Sequence, residues 1–166
     1  MTEEPKTPFV RPSWDEYFMG LAKAAASRAT CDRGRSGCCI ARDKRILVTG
    51  YVGSPMNCAH CDEAGHEIHT VRHADGHETQ HCIRTTHAEQ NAICQAALLG
   101  ISLKGGTLYA RMTPCYVCAK MIINCGIVRV VCENDYHDGQ RSKEIFQESG
   151  VAYILLNQET VKYDKM

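Results

Sequence analysis

Two stretches, "HAEQNAICQAALLG" (residues 87–100) and "CYVCAKMIINCG" (residues 115–126), constrain the chain more than any other feature. Each reads as a helix closed by a glycine, Gly100 and Gly126, and each carries its chemistry at its mouth. His87 and Glu89 open the first, while Cys115 and Cys118 open the second behind Pro114, a residue that suits a helix start. A fold that brings the two openings together gathers two thiols, an imidazole and a carboxylate at the positive ends of two helix dipoles.

Zinc chemistry accounts for that combination. Two thiolates and one imidazole fill three tetrahedral positions and leave the fourth for water, the pattern of a catalytic site. The thiolates offset the charge of the dication, and the helix ends help keep them ionised. Water bound there loses a proton near neutral pH, whereas free water needs about pH 15.7. Glu89 is placed to reach the water instead of the metal and to shuttle its proton. The competing reading, a zinc staple without chemistry, calls for a fourth protein ligand.

A chain of 166 residues with 44% hydrophobic content fits one globular domain with a real core. Lysine plus arginine and aspartate plus glutamate balance at 19 each, so composition forces no basic face and nucleic acid is not the expected partner. No apolar run approaches the roughly 18 residues of a membrane span. The opening "MTEEPKTPFVRPSW" lacks the regions of a signal peptide, so the expected location is cytoplasmic, or the host cytoplasm for a viral source. Eleven cysteines, an odd number with no sign of secretion, point to metal binding over a disulfide framework. Cys38, Cys39, Cys94, Cys125 and Cys132 read as small buried hydrophobes, which leaves Cys31, Cys58, Cys61, Cys82, Cys115 and Cys118 for chemistry.

Ser13 and Glu16 form a capping-box pattern before an alanine-rich helix expected over about 14–29. "GCCIA" and "RILVTGYV", joined by "RDKR", predict a β-hairpin. The apolar pattern then lapses from Pro55 to about residue 84. Beyond it, "GTLYARM", "IVRVVCE" and "VAYILL" read as strands alternating with the two helices above and with "GQRSKEIFQESG". This order predicts an α/β layered fold with a partly parallel sheet. The expected division is an N-terminal extension (1–12), one catalytic domain (13–157) with an insertion at 54–84, and a C-terminal tail (158–166).

"HAE" (87–89) with "PCYVC" (114–118) resembles the zinc-deaminase signature. Together with "SWDEYFMGLAKAAASRATC", "GYVGSP", "HCIRTTHAEQNAI" and "NDYHD", the chain is similar to the deoxycytidylate deaminase branch of the cytidine and deoxycytidylate deaminase family over roughly residues 13–155. The resemblance implies an α/β fold, a five-stranded mixed sheet flanked by helices in three layers, with the two zinc helices side by side. It implies that His87, Cys115 and Cys118 hold zinc and that Glu89 is the general acid and base. The implied reaction is attack of zinc-activated hydroxide on C4 of cytosine, with Glu89 protonating N3 and then the departing amine. The product is a uracil nucleotide, dUMP from dCMP. Also implied are a homo-oligomer, favoured as a hexamer, activation by dCTP, and inhibition by dTTP with Mg2+.

The insertion holds six histidines together with Cys58, Cys61 and Cys82, and a loop of that length needs an anchor. The resemblance points to Cys31, Cys61, His66 and Cys82 as ligands of a second zinc, with Cys58 and His81 as substitutes. His69, His73 and His77, spaced by four, read as one exposed helical face. For the substrate, Val52 stands where relatives have an asparagine near the sugar. Arg111, at a strand end expected to face the pocket, is a candidate phosphate contact. Arg28 and Tyr136 resemble a phosphate-side arginine and a pocket aromatic. The alternatives are dCTP as substrate, instead of or beside dCMP, a tRNA adenosine deaminase, and a zinc-binding regulatory module without catalysis. The neutral charge argues against the second and Glu89 against the third.

Overall fold

The computed structural model describes residues 9–72, 76, 78–157 and 160–161. Helix α1 (Trp14–Ala26) begins with the expected reciprocal cap: the Glu16 N–H donates to the Ser13 hydroxyl at 3.2 Å and the Ser13 N–H to the Glu16 carboxylate at 2.7 Å. The pair satisfies two N–H groups that a helix start otherwise leaves open. The helix stops at Ala26, earlier than the alanine-rich run suggests, where the Ser27 hydroxyl turns back to the Ala24 carbonyl. Strands β1 (Gly37–Arg42) and β2 (Arg45–Tyr51) pair antiparallel as expected, and Asp43 and Lys44 both take positive φ, 51° and 61°, at the tight turn between them.

The stretch at 54–84 is more ordered than its pattern suggests. It contains a short helix, α2 (Cys61–Ala64), and an antiparallel hairpin of β3 (Ile68–Arg72) and β4 (Glu78–Cys82). Every residue of β3 is exposed, so the hairpin has no apolar alternation by which to be recognised. His69 lies in β3 opposite His81, which corrects the helical-face reading; His73 and His77 lie outside the described residues.

Helix α3 (Ala88–Leu99), strand β5 (Thr107–Met112), helix α4 (Tyr116–Asn124), strand β6 (Arg129–Tyr136), helix α5 (Gln140–Glu148) and strand β7 (Ala152–Leu155) follow in the predicted order. They complete a five-stranded mixed sheet in the order β2-β1-β5-β6-β7, antiparallel up to β5 and parallel from β5 to β7. A two-residue strand, β8 (Thr160–Val161), lies within the expected tail and runs parallel to the end of β6.

Side-chain alternation divides the core. Cys39, Ala41, Tyr109 and Val131 face one side with Phe18, Met19 and Ala22 of α1. Cys38, Ile40, Leu108, Ala110, Val130 and Cys132 face the other, packed against α3, α4 and Phe146 of α5. Asp15 ties α1 to the sheet by accepting from Arg129 at 2.8 and 2.7 Å and from the Tyr109 hydroxyl at 2.9 Å. On the opposite face α3 sits so close to β2 that a Cβ on Gly50 would lie 2.2 Å from the Ala88 carbonyl oxygen, so only glycine fits there. Cys38, Cys39 and Cys132 are buried as expected and Cys125 is half-buried, but Cys94 is exposed because it points away from the Ala88, Ala92 and Ala96 stripe that packs on the sheet.

Candidate active site

The first turn of α3 is fixed from three directions. Gly53 and Thr86 exchange backbone hydrogen bonds at 3.3 and 2.9 Å, which fastens the approach to His87 onto the segment after β2. The Asn91 amide donates to the Tyr51 carbonyl at 2.9 Å, and the His87 N–H donates to the Gln90 side chain at 3.0 Å. His87 is thereby the N-cap of α3, as Cys115 is of α4. The turn from β5 into α4 is held by Thr113, whose hydroxyl donates to Asp135 at 2.8 Å and lies 2.8 Å from the Tyr153 hydroxyl. Asp135 also accepts from the Tyr136 N–H at 2.9 Å and pairs with Lys143. This partly buried network, which the sequence did not announce, sets both the Pro114–Cys115 turn and the segment bearing Tyr136.

The two helix openings meet. His87 Nδ1 lies 3.5 Å from Cys115 Sγ and 3.5 Å from Cys118 Sγ. Tetrahedral zinc, with Zn–S of ~2.3 Å and Zn–N of ~2.0 Å, sets a nitrogen-to-sulfur edge of about 3.5 Å. The measured separations match such edges, so His87, Cys115 and Cys118 could hold a zinc ion with one corner left for a non-protein ligand. Cys115 is drawn down to about 4, chiefly by the Cys118 thiol and then by His87, so it stands as a thiolate. Glu89 is buried at 6% exposure, and burial pushes its carboxyl up against the opposing pull of His87. Its surroundings include Cys115 and Cys118, so it faces the same centre without belonging to the donor set.

A second set of donors converges beside the first. Cys31, Cys61, His66 and Cys82 bring their ligand atoms within 4.8 Å of one another. Cys61 and Cys82 Sγ are 3.6 Å apart, and Cys31 Sγ is 3.7 Å from His66 Nδ1, close to the ~3.8 and ~3.5 Å edges of tetrahedral zinc. The other ring nitrogen of His66 meets the Asp32 carboxylate at 3.0 Å, the outer-sphere partner that orients a metal-binding imidazole. Burial raises Cys82, but the Glu67 and Arg84 backbone N–H groups and His66 outweigh it and bring the thiol down to about 7. Of the two substitutes, Cys58 is exposed and outside the cluster, while His81 lines the cleft over the first centre.

That cleft, about 820 Å3, is lined by His87, Glu89 and Cys115 on its floor and by β4 residues Glu78 to Cys82 on one wall. Val52 and Tyr136 both line it, Val52 with a side chain that offers only van der Waals contact. Arg28 and Arg111 do not line it. Arg28 is exposed beyond α1. Arg111 shares the α1 face with Tyr109, where it meets Glu133 at 3.5 Å and the Arg35 carbonyl at 3.1 Å. The lining instead includes Arg33, which follows Cys31 closely in the chain.

A three-layer α/β fold whose paired helix openings present His, Cys, Cys and a buried glutamate defines a zinc-dependent deaminase class, and residues 12–134 match the cytidine and deoxycytidylate deaminase zinc-binding region. The chain belongs to that family and is a hydrolase of the deaminase type. It is 36% identical over 156 residues to ComE operon protein 2 of Bacillus subtilis, covering 94% of this chain and 75% of that protein. The deoxycytidylate deaminase of Mycobacterium phage D29 is 38% identical over 125 residues, covering 73% of this chain and 94% of the phage protein. The deoxycytidylate deaminase of Saccharomyces cerevisiae is 36% identical over 150 residues, 90% of this chain but 46% of the yeast protein. Among solved structures, the dCMP deaminase of cyanophage S-TIM5 in complex with dCMP and dUMP matches with a TM-score of 0.71 and 26% identity, covering 89% of this chain and 99% of that one.

Proposed function

We propose that the chain converts dCMP and water to dUMP and ammonia, with His87, Cys115 and Cys118 as ligands of a catalytic zinc and Glu89 as proton shuttle. The observation that carries this reading is the 3.5 Å spacing of the His87 nitrogen from both cysteine sulfurs, with Glu89 buried beside them in the cleft. Zinc bound there supplies the Lewis acidity that makes water a nucleophile at neutral pH. Glu89 takes the proton of the water that adds to C4 and passes it to ring N3. It then takes the proton of the new C4 hydroxyl, as the carbonyl forms, and carries it to the amine, which leaves as ammonia. Its burial keeps bulk water from short-circuiting the transfers and moves its carboxyl toward the working pH. Val52 and Tyr136, which line the cleft, are assigned to flank the nucleoside.

The choice of dCMP over dCTP follows from charge. A triphosphate calls for several cationic donors, whereas the described lining holds one lysine or arginine, Arg33. Cys31, Cys61, His66 and Cys82 are assigned to a second, structural zinc with four protein ligands. Regulation by dCTP and by dTTP with Mg2+, assembly as a homo-hexamer and a cytoplasmic location complete the proposal, supported by the likeness to deoxycytidylate deaminases. Ammonia release measured in parallel on dCMP, dCTP, CMP and deoxycytidine tests it. Preference for dCMP is expected, and turnover of deoxycytidine equal to that of dCMP overturns the nucleotide assignment.

A further inference from the structure

Resting on the dCMP reading, we infer that Arg33 holds the phosphate of the substrate, in a subsite whose two sides are pinned by the Cys31, Cys61, His66 and Cys82 cluster. A phosphate monoester carries nearly two negative charges near neutral pH, and its placement in a cleft calls for a permanent cation with several donors. Arg33 is the one lysine or arginine among the described lining residues. The acidic groups nearest to it in sequence and on the facing wall are already engaged, Asp32 with His66 and Glu78 with Arg72. Asp138 remains as the acidic residue on the rim.

Arg33 is also held in place. One of its amino groups donates to the Gln80 carbonyl of β4 at 3.0 Å, and no other hydrogen bond of its side chain is found among the described residues. A guanidinium has five N–H donors in a planar fork, so the remaining edge is available for two parallel bonds to phosphate oxygens. The chain on each side of this contact leads directly into the metal cluster. Cys31 stands two residues before Arg33, and Cys82 stands two residues after Gln80. The cluster therefore sets the position of the cation relative to the catalytic floor, which joins the second set of donors to substrate selection.

The test is calorimetric binding of dUMP and of deoxyuridine to the zinc-loaded protein and to Arg33→Met and Arg33→Gln. The product pair is used because it binds without turning over. Loss of a charge-assisted pair is expected to weaken dUMP about tenfold to a hundredfold, while deoxyuridine changes by less than about twofold. Arg33→Gln keeps a donor for the Gln80 carbonyl, so it carries the test if Arg33→Met fails to fold. Unchanged dUMP affinity, or equal weakening of both ligands, overturns the role of Arg33. A wild-type protein that binds dUMP no better than deoxyuridine overturns the nucleotide reading itself.

Discussion

Cys61→Ala removes one corner of the four-donor cluster and leaves the catalytic centre untouched. The cluster gathers the segment after α1, the start of α2, the turn before β3 and the end of β4. Its outermost members, Cys31 and Cys82, close a loop of about 50 residues, and the chain-entropy argument for such a cross-link gives about 4 kcal/mol in the oxidised-thiol case. A metal clip acts on the unfolded chain by the same closure entropy. At about 2–4 °C per kcal/mol for a chain of this size, the melting temperature should fall by about 8–16 °C. Elemental mass spectrometry on desalted protein should find two zinc ions per wild-type chain and one in the variant, and scanning calorimetry reads the shift. One zinc in the wild type, two in the variant, or an unchanged melting temperature refutes the reasoning.

Two further substitutions probe the frame. Hydrogen bonding from Arg129, assisted by Tyr109 against the opposing effect of burial, holds the Asp15 carboxyl below its ordinary range. Its contribution is present above the unfolded-state value and is lost as pH falls through the folded one. Asp15→Asn should cost about 1 kcal/mol at neutral pH, because the pair is partly solvent-screened, and its stability should fall less than wild type below about pH 4; parallel denaturant titrations at pH 7 and pH 3 check both. Gly50→Ala drives a methyl into the Ala88 carbonyl, so it should cost about 1–3 kcal/mol and speed zinc loss to a chelator by tilting the start of α3.

Much of the candidate site was legible because its residues carry local signals. His87 and Cys115 fall at helix N-caps, where sequence periodicity begins, and the first turns supply Glu89 and Cys118. The hairpin of β3 and β4 was not legible, since neither strand buries a continuous face and a solvated hairpin leaves no period of two. The side on which Arg111 lies was readable in principle. Leu108, Ala110 and Met112 alternate with Tyr109 and Arg111, so an arginine in register with a tyrosine packed on α1 leaves the cleft to Met112. Cys94 carried a similar clue, being out of phase with Ala88, Ala92 and Ala96. Arg33 carried no pattern of its own, because its place depends on a contact with Gln80 that joins segments far apart in the chain. Thr113 and Asp135 were silent for the same reason, their contact joining the ends of neighbouring strands.

The central claim is that this centre converts dCMP to dUMP with Glu89 moving the protons. Its most direct test is dUMP formation from dCMP by wild type and by Glu89→Gln, with zinc content measured on the same samples. Removal of a general acid and base that serves several steps should cut turnover by at least about 100-fold at equal zinc content, because the amide keeps the size of the side chain and is not a metal ligand. A Glu89→Gln protein that keeps its zinc and more than about a tenth of wild-type turnover contradicts the account.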